Sequence, residues 1–253
     1  MGRACDTCAR NLVDMPSLLW PACRNVRDLA GLPTTSGGSI RANALIRADS
    51  LDRLTEEGIA AFRALGVSRV VDLRSAAEAE LVRHPFAADA AYRLVPMIDP
   101  RRERSRDRAA ERTLAMVYSN SLERNARSIV EGLAAVADAP PGAVVVHCAV
   151  GKDRTGMLVA LALSLAGVPD EVIAEDYALS AECLRDDFDR LLETIEDEAR
   201  RAHVAERMTS HPDTIVAMLE HGRDRFGGVE GYLLAHGFGA DRVKRLRARL
   251  LAD

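Results

Sequence analysis

The sequence predicts an α/β fold: a central, mostly parallel sheet of about four to five strands flanked by helices, with a C-terminal helical extension. Three observations predict it. Short β-branched runs alternate with segments of helical period as far as residue 147. Residues 143–147 (Ala-Val-Val-Val-His) are apolar and β-branched, the pattern of a central strand covered on both faces. From Pro169 onward every segment reads as helix.

The elements follow in order. Residues 1–20 lie outside the pattern as an N-terminal tail, and residues 21–253 form one domain. A helix runs from about Thr55, a suitable N-cap, to Leu65, and Gly66 ends it. Residues 69–73 (Arg-Val-Val-Asp-Leu) form a buried strand, and a second strand lies near 92–97. An Arg-rich polar stretch follows, then a helical region in which Leu122, Ala126, Ile129, Val130 and Leu133 recur at helical spacing. After the strand at 143–147 comes a Gly-containing turn and a helix from about Asp153 to Ala166, apolar almost all round and therefore buried. Gly167 and Pro169 stop it. The C-terminal helices are interrupted near 210–213 and 226–228.

Composition narrows the function classes. The 253 residues are 48% hydrophobic and 28% charged, which suits a globular domain with a real core. The net charge of −4 argues against a nucleic-acid-binding face. No apolar run reaches the roughly 18–20 residues of a membrane helix, so no stable membrane insertion is expected. No signal core is visible at the N-terminus, so a cytoplasmic location is the default, with signal-less secretion left open. Five cysteines give no disulfide framework; Cys5 and Cys8 form a lone Cys-x-x-Cys without a second pair. Among 34 basic residues only Lys152 and Lys244 are lysine.

The chemistry sits in His147-Cys148-Ala149-Val150-Gly151-Lys152-Asp153-Arg154-Thr155-Gly156, between the buried strand and the buried helix. A loop that short, ending at a helix N-terminus, makes its backbone N–H groups converge. Such a nest, with the helix dipole behind it, binds a tetrahedral oxyanion. Arg154 in the first helical turn can fold back onto two of its oxygens. Cys148 at the strand end then lies in line for attack on phosphorus. The attacking species is the thiolate. The groups that would stabilise it are those that would bind phosphate, so one loop both activates the nucleophile and cradles its target. The amides of Ala149, Val150, Gly151, Lys152, Asp153 and Arg154 line the cradle. No metal and no cofactor are called for, because arginine and amides can neutralise the phosphate. A nucleotide-binding loop of the Walker type is excluded: Asp153, not Ser or Thr, follows Lys152, and Val146 stands where Gly is required.

This loop resembles the Cys-x5-Arg signature of the protein tyrosine phosphatase superfamily, and more narrowly the bacterial tyrosine/serine phosphatases. Four further segments carry the resemblance: Asn25-Val26-Arg27-Asp28-Leu29-Ala30-Gly31; Leu45-Ile46-Arg47-Ala48-Asp49 with Leu51; Val71-Asp72-Leu73-Arg74-Ser75 with Glu78; and Tyr232-Leu233 with Gly237. The second departs from the family pattern in having Ala48 for a usual serine. The resemblance covers roughly residues 20 to 252.

It implies a phosphatase fold and a phosphomonoester hydrolase acting on phosphotyrosine through a phosphocysteine on Cys148, with dual specificity toward phosphoserine and phosphothreonine. Phosphoinositide hydrolysis by the same mechanism and a non-catalytic phosphate-binding module are the alternatives. The expected partners are a phosphorylated protein or a phosphoinositide, with inorganic phosphate as product and inhibitor. Thr155 is expected to hydrogen-bond the departing sulfur. Two aspartates compete as general acid. Asp99 matches an aspartate the family places beside its site, and a separate loop favours it; Asp153, within the loop, resembles the arrangement of some phosphoinositide phosphatases. His147 either orients the loop from behind or is a satisfied core histidine. Asp72 and Arg74 read first as an ion pair bracing the site and second as substrate contacts. Arg101, Arg102, Arg104, Arg106, Arg108 and Arg112 form either a solvated face or a rim attracting polyanions. Lys152 is a candidate for holding a second phosphate. Residues 176–221 are a possible helical lid.

Overall fold

The computed structural model describes residues 20, 22–104 and 106–252. Most of the expected N-terminal tail, with Cys5 and Cys8, lies outside the described residues. Trp20, the last residue of that segment, is buried against Phe62 with ring centroids 5.3 Å apart.

The sheet has five strands: β1 (Arg27–Asp28), β2 (Ile46–Ala48), β3 (Val67–Asp72), β4 (Tyr92–Leu94) and β5 (Ala143–His147). Their spatial order is β1-β2-β5-β3-β4; β1 pairs antiparallel with β2 and the other pairs are parallel. β5 is central and all its residues are buried, as its continuous β-branched run requires. Its side chains alternate between two cores. Val144 and Val146 face the larger one, while Ala143 and Val145 face a smaller one built on Trp20, Phe62 and Phe86. The parallel register aligns Ala48, His147 and Asp72 across three strand ends. Cys148 follows at once, at the carboxyl edge where ligands bind in open α/β sheets.

Helices follow from local signals. In α1 (Glu56–Ala64) the Thr55 side chain accepts from the Gly58 amide, and Gly66 turns the chain at φ +67°. α2 (Ala76–Leu81) opens with a capping box between Ser75 and Glu78. The short α3 (Pro100–Glu103) is capped by Asp99. The periodicity around 122–133 is carried by two helices, α4 (Leu114–Arg124) and α5 (Ala126–Ala137). They break at the buried Asn125, whose side chain accepts from the Asp99 amide and donates to Glu103 and Ser121. Tertiary hydrogen bonds here override a continuous helical pattern. α6 (Asp153–Leu165) is buried on nearly every face, and Gly167 ends it at φ +85°.

The C-terminal half contains α7 (Asp170–Cys183), α8 (Arg185–Glu193), α9 (Glu198–Met208), α10 (Pro212–Phe226), α11 (Val229–Ala235) and α12 (Ala240–Leu250). The expected breaks fall at 209–211 and 227–228, and further breaks occur at Leu184, at 194–197 and at 236–239. Within 176–221, α7 and α10 are core helices: Asp176, Tyr177, Ser180, Ile215 and Met218 are buried. Within that stretch α8 and α9 bury no residue. No helix among the described residues is long and apolar enough to cross a membrane.

Candidate active site

The loop after β5 is shaped by what takes its carbonyls. Ser50 N–H donates to Ala149 O at 3.0 Å, Asn25 Nδ2 to Val150 O at 3.0 Å and Arg47 Nη2 to Gly151 O at 2.6 Å. Three successive carbonyls are thus held from the N-terminal segments. An anion nest requires the amides on the opposite side of such a loop to converge. Gly151 makes this possible. Its φ is +70°, and a Cβ there would lie 2.5 Å from Ala48 O. The loop therefore sits directly on the end of β2. Asn25 and Arg47 are themselves fixed. Asp49 accepts from the amides of Arg24 and Asn25, and Asp176 on α7 accepts from both Arg27 and Arg47.

Arg154 lies in the first turn of α6. Its two terminal nitrogens donate to the two oxygens of Glu78 at 2.7 and 2.8 Å. This bidentate pair orients the guanidinium and leaves the Nε edge for an oxyanion, since arginine has five N–H donors. The Arg154 contact, first among its causes, holds the Glu78 carboxyl down at about 2. Glu78 also receives the Ser75 amide at 2.9 Å, so one carboxylate caps α2 and aims the arginine. Sequence reading flagged Glu78 only as part of a matched segment. Its S-x-x-E spacing after a strand was the available signal.

Cys148 is buried, as is Thr155 in the first turn of α6, whose hydroxyl has no hydrogen-bond partner among the described residues. Behind them His147 is fully buried, with Nδ1 at 3.0 Å from Cys148 O. That carbonyl can only accept, so Nδ1 carries the proton. Asp72 and Arg74 form a buried ion pair at 2.8 Å, and Tyr92 Oη donates to Asp72 at 2.9 Å. Asp72, His84 and His147 bring ligand-type atoms within 4.8 Å of one another. The cluster does not suit a metal. His84 Nδ1 accepts from the Phe86 amide at 3.0 Å, so its Nε2 carries the proton and has no lone pair to offer. Burial pushes the His84 imidazole down to about 3 and also lowers His147, so both are neutral at pH 7.

The two aspartates are separated by their settings. Asp153 accepts from Tyr118 Oη at 2.5 Å, and with Tyr118, Arg154 and Arg207 it lines a cavity of about 210 Å³. Burial, and then Asp153, push the Tyr118 phenol far above its ordinary value, which keeps it a donor. The Asp99 carboxylate instead accepts from the Arg101 amide at 2.9 Å and lies 3.7 Å from Arg102. Its neighbours Ile98 and Pro100, but not Asp99, line the cavities that reach Arg154.

The arginine-rich stretch divides. Arg106 pairs with Glu103 and Glu111, which also hold Arg124. Arg104 and Arg108 line a cavity of about 470 Å³ beside Arg154 and Glu78. Lys152 is buried. Its ammonium donates to Arg207 O at 2.6 Å and Thr209 O at 3.0 Å, at the carboxyl end of α9, and lies 3.3 Å from Asp153. It is therefore engaged with the end of α9 rather than presented to solvent. The site also contains residues that the sequence marks only within matched segments, Asn25, Arg27, Arg47 and Glu78, and two to which it gives no role, Tyr118 and Asp176.

The family described as the tyrosine phosphatase family matches residues 18–252. Two relatives are similar over most of the chain. A tyrosine-protein phosphatase of Nostoc commune is 29% identical over 228 residues, covering 86% of this chain and 78% of the relative. The triple specificity protein phosphatase PtpB of Mycobacterium tuberculosis is 28% identical over 275 residues, covering 91% of this chain and 98% of the relative. The match spans nearly the whole chain, from the N-terminal segments that hold the loop to the last helix, and this chain belongs to the tyrosine phosphatase family.

Proposed function

We propose that the chain hydrolyses phosphomonoesters, phosphotyrosine first, through a phosphocysteine intermediate on Cys148. The observation that carries this is the loop itself. Its carbonyls at 149, 150 and 151 are each bound from outside, and Arg154 is held over it by Glu78. The Cys148 thiolate attacks phosphorus, an S–P bond forms and the P–O bond to the leaving group breaks. The loop amides and Arg154 carry the charge on the three equatorial oxygens. Asp153 gives its proton to the leaving oxygen, then takes one from the water that attacks the phosphocysteine. Its place in the Arg154 cavity supports this role over Asp99. As the S–P bond breaks, the Thr155 hydroxyl donates to the departing thiolate. Inorganic phosphate leaves, and it competes with substrate.

α8 and α9 act as the cover of the site. Phe188 and Leu191 line a cavity with Ala149 and Val150, and α9 ends on Lys152. The relative's printed triple specificity, together with Arg104 and Arg108 on the rim, supports a substrate range wider than tyrosine and extending to phosphoinositides.

The test is aryl phosphate hydrolysis by wild type, Cys148→Ser, Asp153→Asn and Asp99→Asn. Cys148→Ser is expected to lose at least 10³-fold in kcat, a few kcal/mol of barrier or more. Asp153→Asn is expected to lose the basic limb of the pH–rate profile while Asp99→Asn keeps it. No turnover by wild type sinks the enzyme reading, and loss of that limb in Asp99→Asn alone moves the acid to Asp99.

A further inference from the structure

Behind the phosphate loop lies a buried charge imbalance. Arg47 is fully buried, and the Arg27 and Asp176 side chains are 7% and 1% exposed. Arg27 Nε donates to Asp176 Oδ1 at 2.6 Å and Arg47 Nη1 to Asp176 Oδ2 at 2.5 Å. Two guanidinium groups thus share one carboxylate. Their other contacts are neutral: Asn25 Oδ1, Asp176 O and Ser180 Oγ for Arg27, and Gly151 O and Ser180 Oγ for Arg47. Arg47 Nε has no hydrogen-bond partner among the described residues.

Other charges near the loop are already matched. Arg154 pairs with Glu78 and Arg74 with Asp72; Lys152 meets Asp153 and two carbonyls; His147 is neutral. Asp49, the nearby buried carboxylate, takes backbone amides and faces Arg53. Burial, then Arg27, push the Arg47 guanidinium down; Asp176 and Cys148 act in the opposite sense.

A buried unpaired charge is costly in a low-dielectric interior. We propose that Arg47, with Arg27 and Asp176, is a positioning network that brings one uncompensated positive charge to the back of the loop, where the loop's own anion, thiolate or bound phosphate, completes it. Arg47 is a positioning residue: it touches Gly151 O and not the substrate. The inference rests on the phosphate-cradle reading above. It adds that part of the anion affinity comes from beneath the loop, where Arg154 does not reach.

The test uses signs. Inorganic phosphate binding is measured calorimetrically for the full chain and for Arg47→Met, Arg47→Lys, Arg27→Met and Asp176→Asn, with circular dichroism to check folding. Removing either arginine takes the buried charge to zero, and phosphate is expected to bind about tenfold more weakly, about 1.4 kcal/mol. Arg27→Met is informative because Arg27 makes no direct hydrogen bond to the loop and reaches it only through Asn25 and Asp176. Arg47→Lys is expected to restore most of the affinity lost in Arg47→Met. Asp176→Asn raises the buried charge and is expected to tighten phosphate binding. A folded Asp176→Asn that binds phosphate more weakly would make the network a scaffold only and overturn the inference. If that variant does not fold, Arg27→Met decides: wild-type affinity there overturns it. Wild type that binds no phosphate fails the cradle reading itself, which is a separate result.

Discussion

Glu78 shows how one residue can serve both stability and chemistry, and how the two can be separated. Ser75→Ala removes the side-chain cap of α2 but leaves the carboxylate on Arg154; it is expected to cost about 1 kcal/mol of stability with little change in turnover. Glu78→Gln keeps the shape and loses the charge-assisted pair. It is expected to lower kcat/KM for aryl phosphate roughly tenfold, because Arg154 is no longer aimed. Similar stability and activity losses in both variants would mean that Glu78 is a cap alone. His84 supplies a pH prediction. Its imidazole is held at about 3 against an ordinary 6.5, so the unfolded chain binds a proton that the folded chain refuses. The contribution is complete above about pH 6.5 and is lost as pH falls toward about 3, at about 1.4 kcal/mol per pH unit for one proton. His84→Gln is expected to remove one proton's worth of that slope in denaturant unfolding between pH 6 and 4. An unchanged slope would show that His84 is protonated in the folded state. Gly151 was legible in the sequence as part of the loop, but the 2.5 Å approach to Ala48 O that demands glycine was not. That constraint comes from a strand about a hundred residues away.

Elements were legible where their signal is local. The helices with polar caps or apolar periodicity, and the β-branched run of β5, fall where the sequence places them. β1 and β2 have two and three residues, too few to show any period; β2 exists because β5 offers it an edge, and β1 adds antiparallel to β2. The break at Asn125 and the burial of α7 depend on partners distant in sequence, so neither could be read from spacing. Lys152 changed most. As a sequence feature it looked like a flexible charge waiting for a second phosphate, which predicts that Lys152→Ala hurts multiply phosphorylated substrates more than aryl phosphate. In the structure its ammonium sits on the last carbonyls of α9, the negative end of that helix dipole. Lys152→Met is therefore expected to loosen the α8–α9 pair. Amide exchange should speed at least tenfold across residues 198–209 and stay unchanged in α6. Unchanged exchange across α9 would return Lys152 to the role of a phosphate ligand.

At the scale of the whole molecule, the site ties the two halves of the chain together. The loop carbonyls are held by residues 25, 47 and 50 from the N-terminal segments, while α7 anchors Arg47, and Arg27 beside it, through Asp176. The loop cannot keep its shape unless both halves are docked on the sheet. An anion that binds only this shape must therefore stabilise the whole fold. At phosphate a hundredfold above its dissociation constant, linkage adds about 2.7 kcal/mol. For a chain of 253 residues each kcal/mol moves Tm by roughly 2–4 °C, so a rise of roughly 5–10 °C is expected by scanning calorimetry. Cys148→Ser should keep the shift, since the amides and Arg154 remain. Arg154→Met should reduce it to about 1 °C or less, because Glu78 would then face the cradle without its partner. A full shift in Arg154→Met would place the stabilising phosphate somewhere other than this loop, and the link between the cradle and the fold would fail with it.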